Sequence, residues 1–185
     1  MKRVLLAYLL LSATLLWAAP VPEEQRLPVD LRRTTLVVQD IERSLQFYQD
    51  AIGMEVIYDN MVYSPRDAGS VENANSALRL VFLRANDDFV GILGMMQYIK
   101  PAKEIVDLTD TSFRPGSIVL VFNSENIDES FAKAKAIEGV KVRSEPTLTT
   151  YPSYDGSSTI SVKVSVMQDP DGFTIELNQL QQAIH

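Results

Sequence analysis

Apolar and polar positions along this 185-residue chain fall into two recurring modes, a period of two that suits strands and a 3.6-residue stripe that suits helices. Arg32 to Val38 is a β-branched run that predicts a strand. Asp40 then stands where a helix N-cap belongs, since its carboxylate can accept from a backbone N–H that the first turn leaves unpaired. Ile41, Leu45, Tyr48 and Ile52 follow on one helical face, and Gly53 is placed to end the helix in a left-handed conformation. Met54 to Tyr58 resumes as a strand. Ser64 to Ser76 is polar and predicts a long loop, and Leu78 to Leu83 with Phe89 to Tyr98 predict a hairpin around residues 85–88.

The same order then recurs. Ser117 to Phe122 predicts a strand, Asn126 with Glu129 has capping-box spacing, Ile127, Phe131 and Ala134 form a helical stripe, and Gly139 ends it. Val140 to Arg143, Thr159 to Met167 and Phe173 to Leu177 supply three more strands, the last two joined by the turn sequence Asp169-Pro170-Asp171-Gly172. At a constant offset of 86, Ile41 matches Ile127, Ser44 matches Ser130, Leu45 matches Phe131 and Val56 matches Val142. This register predicts an internal duplication and an α+β fold of two βαβββ repeats. Each repeat is a curved mixed sheet with its helix outside, and the pair encloses one cleft. The boundaries are repeat one at 32–98, a linker at 99–114, repeat two at 115–180 and a tail at 181–185, all in one domain over 32–180.

The start of the chain differs in kind. Lys2 and Arg3 precede an almost wholly apolar run from Val4 to Ala19, which predicts a cleaved signal peptide over residues 1–19 and an exported, periplasmic or secreted protein. An extended lead-in occupies 20–31. The run is short for a membrane span, so no stable insertion is expected after cleavage. Losing Lys2 and Arg3 takes the net charge from −7 to −9, which leaves no basic surplus for nucleic acid. There is no cysteine, and the single histidine is His185. Thiolate chemistry and most histidine-based metal sites are thereby excluded.

Thr35 to Tyr48 with Ile52-Gly53, and Asp169-Pro170-Asp171-Gly172-Phe173-Thr174-Ile175-Glu176-Leu177, resemble the opening and closing signatures of the vicinal oxygen chelate superfamily of glyoxalases, bleomycin-resistance proteins and extradiol dioxygenases. The resemblance spans roughly Arg32 to Leu180 and implies the fold more than any one activity. Metal-dependent members place ligands on the first and last strands of each unit. Here those positions fall on Arg33, within Ile92-Leu93-Gly94, on Val119 and on Glu176. One donor of four survives, so neither a metal nor another cofactor is expected. Glyoxalase-like lyase or dioxygenase chemistry with a divalent metal is the alternative, and a protein-interaction module is a second.

The expected function is therefore metal-free binding of a small organic ligand in the inter-repeat cleft. Arg33 offers a fixed cation for a carboxylate or phosphate. Glu176 alternates with Phe173, Ile175 and Leu177, so it faces the cleft, and it is the best candidate for any catalytic acid or base. Arg79, Gln97, Tyr98 and Asn123 are strand residues placed to line the pocket, and Tyr151 and Tyr154 lie on a loop suited to cover its mouth. Met95 and Met96 are expected in the core. The acidic balance favours a cationic or neutral ligand while Arg33 favours an anion, and the residues alone leave both open. A homodimer is compatible with this reading.

Overall fold

The computed structural model describes residues 22–105, 112–153 and 156–181, so the predicted signal segment and Tyr154 lie outside the described residues. The first unit runs β1 (Arg33–Val37), α1 (Ile41–Leu45), β2 (Glu55–Ser64), β3 (Ser76–Arg84) and β4 (Ile92–Lys100). The second runs β5 (Val119–Asn123), α2 (Ile127–Lys135), β6 (Lys141–Pro152), β7 (Thr159–Gln168) and β8 (Thr174–Leu180). Two four-stranded sheets result, with orders β1-β4-β3-β2 and β5-β8-β7-β6. In each, the first and last strands of the unit pair in parallel and the others are antiparallel. The duplication seen in the residues is thus a duplication of topology. Among the described residues no helix is long and apolar enough to cross a membrane.

Local chemistry sets the element ends. The Asp40 carboxylate accepts from the Glu42 and Arg43 N–H groups, and the Asn126 side chain accepts from Glu129 N–H. Gly53 and Gly139 have φ of 94° and 91°, the left-handed geometry that a side chain at the end of each helix would strain. Three differences from the predicted elements have physical causes. β2 and β6 run on to Ser64 and Pro152 because they are outer strands, bonded on one side only, where polar residues are tolerated and the apolar alternation fades. β4 begins at Ile92 rather than Phe89. The Asp87 carboxylate accepts from both Phe89 and Val90 N–H, at 2.7 and 2.8 Å, and turns that segment out of the ladder. The first helix continues from α1 as a π-helix over Gln46–Ala51. This wider turn lets the consecutive residues Phe47 and Tyr48 both point inward, fully buried and edge-on at 5.0 Å.

One core joins the units. Leu36, Ile41, Phe47, Tyr48, Val81, Leu83 and Met95 from the first pack in one cluster with Ile127, Phe131, Met167, Ile175 and Leu177 from the second. A polar latch crosses the same seam. The Tyr48 hydroxyl donates to Asp169 Oδ2 at 2.6 Å, Ser44 Oγ to Asp171 Oδ2 at 2.9 Å, and Gln39 N–H to Asp171 Oδ1 at 2.8 Å. Arg43 adds an ion pair to Asp171 at 3.6 Å. The closing-strand turn is therefore more than a turn, since its two carboxylates clamp the helix of the other unit.

Burial lifts the Asp169 carboxyl from 3.8 to about 6, against the Tyr48 and Phe173 hydrogen bonds that hold it down, and the Asp171 charge adds to the rise. Burial, then the Asp169 charge, holds the Tyr48 phenol well above its ordinary value, so it stays a donor. The folded protein keeps the Asp169 proton up to about pH 6, whereas the unfolded chain releases it near 3.8. The stability this carboxyl contributes is thus present at low pH and falls as pH rises through that window, by at most about 1.4 kcal/mol per pH unit. Urea unfolding of wild type and Asp169→Asn across the window should show their stability difference shrinking as pH rises. A difference that stays flat contradicts this assignment.

Candidate functional site

The two faces of each sheet have different roles. Leu36, Val81, Leu83 and Met95 of the first sheet, and Met167, Ile175 and Leu177 of the second, are buried against the helices. Strand alternation sends their neighbours to the opposite face, which lines the cleft. On the first sheet these are Arg33, Thr35 and Val37 of β1, Gly94, Met96 and Tyr98 of β4, Phe82 of β3 and Tyr58 of β2, as the cross-strand pairs Thr35–Gly94, Gly94–Phe82 and Phe82–Tyr58 require. On the second they are Val119, Val121 and Asn123 of β5 with Glu176 and Asn178 of β8, through the pairs Val121–Glu176 and Asn123–Asn178. Val37 and Val121 are more than half exposed there, so the cleft has an apolar floor.

The register fixes which residue stands at the fourth ligand position of the metal-dependent pattern. Thr35 and Val121 are equivalent at the offset of 86; Val121 pairs with Glu176 and Thr35 pairs with Gly94. At the closing strands the offset is 82, which is why a fixed offset could not single out Gly94 from the sequence. The four positions therefore hold Arg33, Gly94, Val119 and Glu176. This set does not fit a divalent metal, because a carboxylate is its one anionic donor and a guanidinium occupies another of the four positions. Among the described residues no three His, Cys, Asp or Glu side chains group closely enough to hold an ion.

Gly94 instead leaves space for Arg33. A Cβ at Gly94 would sit 2.7 Å from Thr35 Oγ1 and 3.2 Å from Arg33 Cδ. Across that gap the Arg33 guanidinium lies over the Phe82 ring at 4.1 Å, and Phe82 stacks on Tyr58 at 4.9 Å and 23°. The cation is thus seated over an aromatic row, and among the described residues it makes no ion pair. On the second sheet Asn178 Nδ2 donates to Glu176 Oε1 at 2.9 Å, and among the described residues Asn178 Oδ1 is buried without a hydrogen-bond partner. A pocket of about 130 Å³ is lined by Thr34, Ile92 and Leu93 of the first sheet and Leu120, Val121 and Phe122 of the second, and neither Arg33 nor Glu176 lines it.

The structure brings Arg33, Glu176, Tyr98 and Asn123 to the cleft face, with Tyr98 toward the far end of β4 beneath Lys103, whose Nζ is 5.1 Å from its ring centroid. Tyr151 is half exposed within the outer strand β6, paired with Ile160, and so is not on the loop expected for it. Two expected pocket residues turn the other way. Arg79 is on the helix face, bonded to Asp59 at 2.6 Å and to Glu42 of α1 at 2.5 Å. Lys163 pairs likewise with Asp128 of α2 in the second unit. Glu42 and Asp128 are themselves 86 apart, so the repeat marks Arg79 as a tie between sheet and helix. Gln97 is also on that face, where its carbonyl accepts from Ile41 N–H at the start of α1. Residue-by-residue reading missed Tyr58, Phe82 and Asn178, and it left Gly94 as one of three residues for its position. Phe82 and Tyr58 join the row only through pairing between strands, which a linear pattern does not display.

Comparison with known proteins agrees with this architecture. The model of the Glyoxalase/Bleomycin resistance protein/Dioxygenase superfamily matches residues 30–177, most of the chain, and the protein belongs to that superfamily. A glyoxalase family protein of Bacillus cereus has 14% identity over 88% of this chain and 100% of its own, with a TM-score of 0.64. Glyoxalase I of Leishmania major, described as trypanothione-dependent, has 21% identity over 82% and 86%, with a TM-score of 0.51. A genomically encoded fosfomycin resistance protein of Listeria monocytogenes, in complex with Mn(II) and sulfate, has 16% over 83% and 93%, with a TM-score of 0.50. At these identities the likeness is one of fold. No curated protein matches the chain.

Proposed function

We propose that this protein binds a small organic molecule in the inter-repeat cleft without a divalent metal. The reading is carried by one observation: where metal-dependent members of the fold place four ligands, this cleft presents Arg33, Gly94, Val119 and Glu176. A cation fixed on an aromatic ring replaces a metal ligand, and a glycine clears the space that Arg33 crosses. The superfamily holds enzymes and resistance proteins alike, and a cleft whose one metal donor is Glu176 fits holding a molecule better than transforming it. The apolar start of the chain supports action outside the cytoplasm. N-terminal sequencing of protein from its native host should then begin near Ala19, and an intact Met1 on cytosolic protein contradicts that part of the proposal.

A thermal-shift screen tests the binding. Any ligand that binds only the folded state raises the melting temperature by mass action. Organic molecules of cleft size should raise it, whereas zinc, nickel, iron(II) and manganese(II) should not. A shift with the ions and none with organic molecules favours the glyoxalase or dioxygenase reading.

A further inference from the structure

One cation on the cleft face of the first sheet has no counter-charge among the described residues. At that end of the sheet Arg84 follows Phe82 on the same face of β3, and Glu55 and Asp88 neutralise it. Arg33 has no such partner, although the chain carries a net charge of −7. Its side chain crosses the space above Gly94, where a Cβ would meet Arg33 Cδ at 3.2 Å, and its guanidinium lies 4.1 Å from the Phe82 ring centroid. Arg33 reaches that ring from the β4 side and Tyr58 stacks on it from the β2 side, so neither side of the ring is left for an aromatic ligand. Beside this cation the face turns apolar. The next row across the strands is Val37, Met96 and Leu80, with Asn60 at its outer edge, and the row beyond is Tyr98, Leu78 and Val62. Val37 and Val62 are exposed and the other four half-buried. From Gly94 to Tyr98 this plate runs about 13 Å, at about 3.3 Å per residue.

We propose that the cleft face of the first sheet binds a free monocarboxylic acid with an aliphatic chain. Its carboxylate takes the Arg33 guanidinium, and its chain lies across Met96 and Leu80 toward Tyr98. This names a ligand class for the binding reading above and rests on it. The unpaired cation calls for an anion, and a planar guanidinium pairs best with a carboxylate through two parallel hydrogen bonds. With Phe82 occupied by Arg33 and Tyr58, the surface left for the body is aliphatic and includes the adaptable Met96, which suits a flexible chain better than a ring. The acidic balance of the chain does not oppose this, because Arg84 holds Glu55 and Asp88 at the same end of the sheet. No covalent step is involved.

Calorimetry with octanoate, hexanoate, acetate and 1-octanol, titrated into wild type, Arg33→Gln, Arg33→Lys and Arg32→Gln, tests the proposal. Arg32 is the control: it is exposed like Arg33 but lies over Phe89, so all three variants should melt near wild type. Octanoate should bind wild type most tightly, up to roughly tenfold better than hexanoate, since two more methylenes leave water. Acetate, a head without a body, and octanol, a body without a charge, should both bind more weakly than octanoate. Losing the charge-assisted contact costs roughly tenfold in affinity or more. Arg33→Gln should therefore weaken octanoate and hexanoate by about that factor and leave octanol unchanged. Arg33→Lys keeps the charge without the fork and should fall in between, and Arg32→Gln should bind as wild type does. Octanol or acetate binding as tightly as octanoate overturns the proposal. So does an octanoate affinity that Arg33→Gln leaves unchanged or that Arg32→Gln lowers equally, and so does no binding of octanoate. In each of these cases an organic hit in the thermal-shift screen leaves cleft binding standing, whereas a screen without any organic hit removes both readings.

Discussion

Replacing Asp171 by alanine should lower stability by about 2–4 kcal/mol, although the residue lies in a turn and touches no ligand. Its side chain is 3% exposed and accepts from Ser44 Oγ and Gln39 N–H while facing Arg43. Alanine removes the carboxylate that shares the single proton of the buried Ser44 hydroxyl with Asp40 O, and it strips the part-buried Gln39 N–H of its acceptor. Each of these bonds to a charged carboxylate contributes on the order of 1–2 kcal/mol, and the part-exposed Arg43 pair adds little. For a chain of this size the melting temperature should fall by roughly 5–15 °C. Thermal unfolding of Asp171→Ala beside an exposed-carboxylate control such as Asp50→Ala checks this. Equal melting of the two variants means that the latch does not hold the units together.

A fragment ending at Pro101 should not fold as a monomer. The first unit alone exposes the core positions Phe47, Tyr48 and Ala51 that the second unit covers, and it leaves the Tyr48 hydroxyl and the Gln39 N–H without Asp169 and Asp171. Roughly 70 residues bury too small a share of their surface to offset such losses. Size-exclusion chromatography and circular dichroism should find the fragment aggregated, dimeric or unfolded. A monomer with a cooperative melt would make each repeat a domain in its own right and contradict the shared core.

Much of this architecture was legible in the residues because each signal was local. Asp40 and Asn126 cap helices through side chains two or three residues away, and the alternation of Phe173, Ile175 and Leu177 placed Glu176 on the cleft face. The 86-residue register carried the topology. The candidate site was legible only in part, because faces on β3 and β4 depend on pairing. Arg79 and Gln97 read as pocket residues, yet the pairs that put Val81 and Leu83 in the core turn Arg79 to the helix side, and Arg79–Gln97 pairing takes Gln97 with it. Gly94 carried no chemical signal of its own. Its meaning came from Thr35 beside it and from the guanidinium that crosses the space it leaves.

Arg33 stands where a metal ligand would, and elemental analysis of the purified mature protein tests the consequence most directly. The protein would be incubated with excess zinc, nickel, iron(II) or manganese(II), then separated from free ions by gel filtration. A set of Arg33, Gly94, Val119 and Glu176 cannot retain an ion against water, so the predicted result is no stoichiometric metal with any of the four. One ion per chain that survives gel filtration, and whose removal by a chelator abolishes ligand binding or turnover, would contradict the account and place the protein among the metal-dependent members of its superfamily.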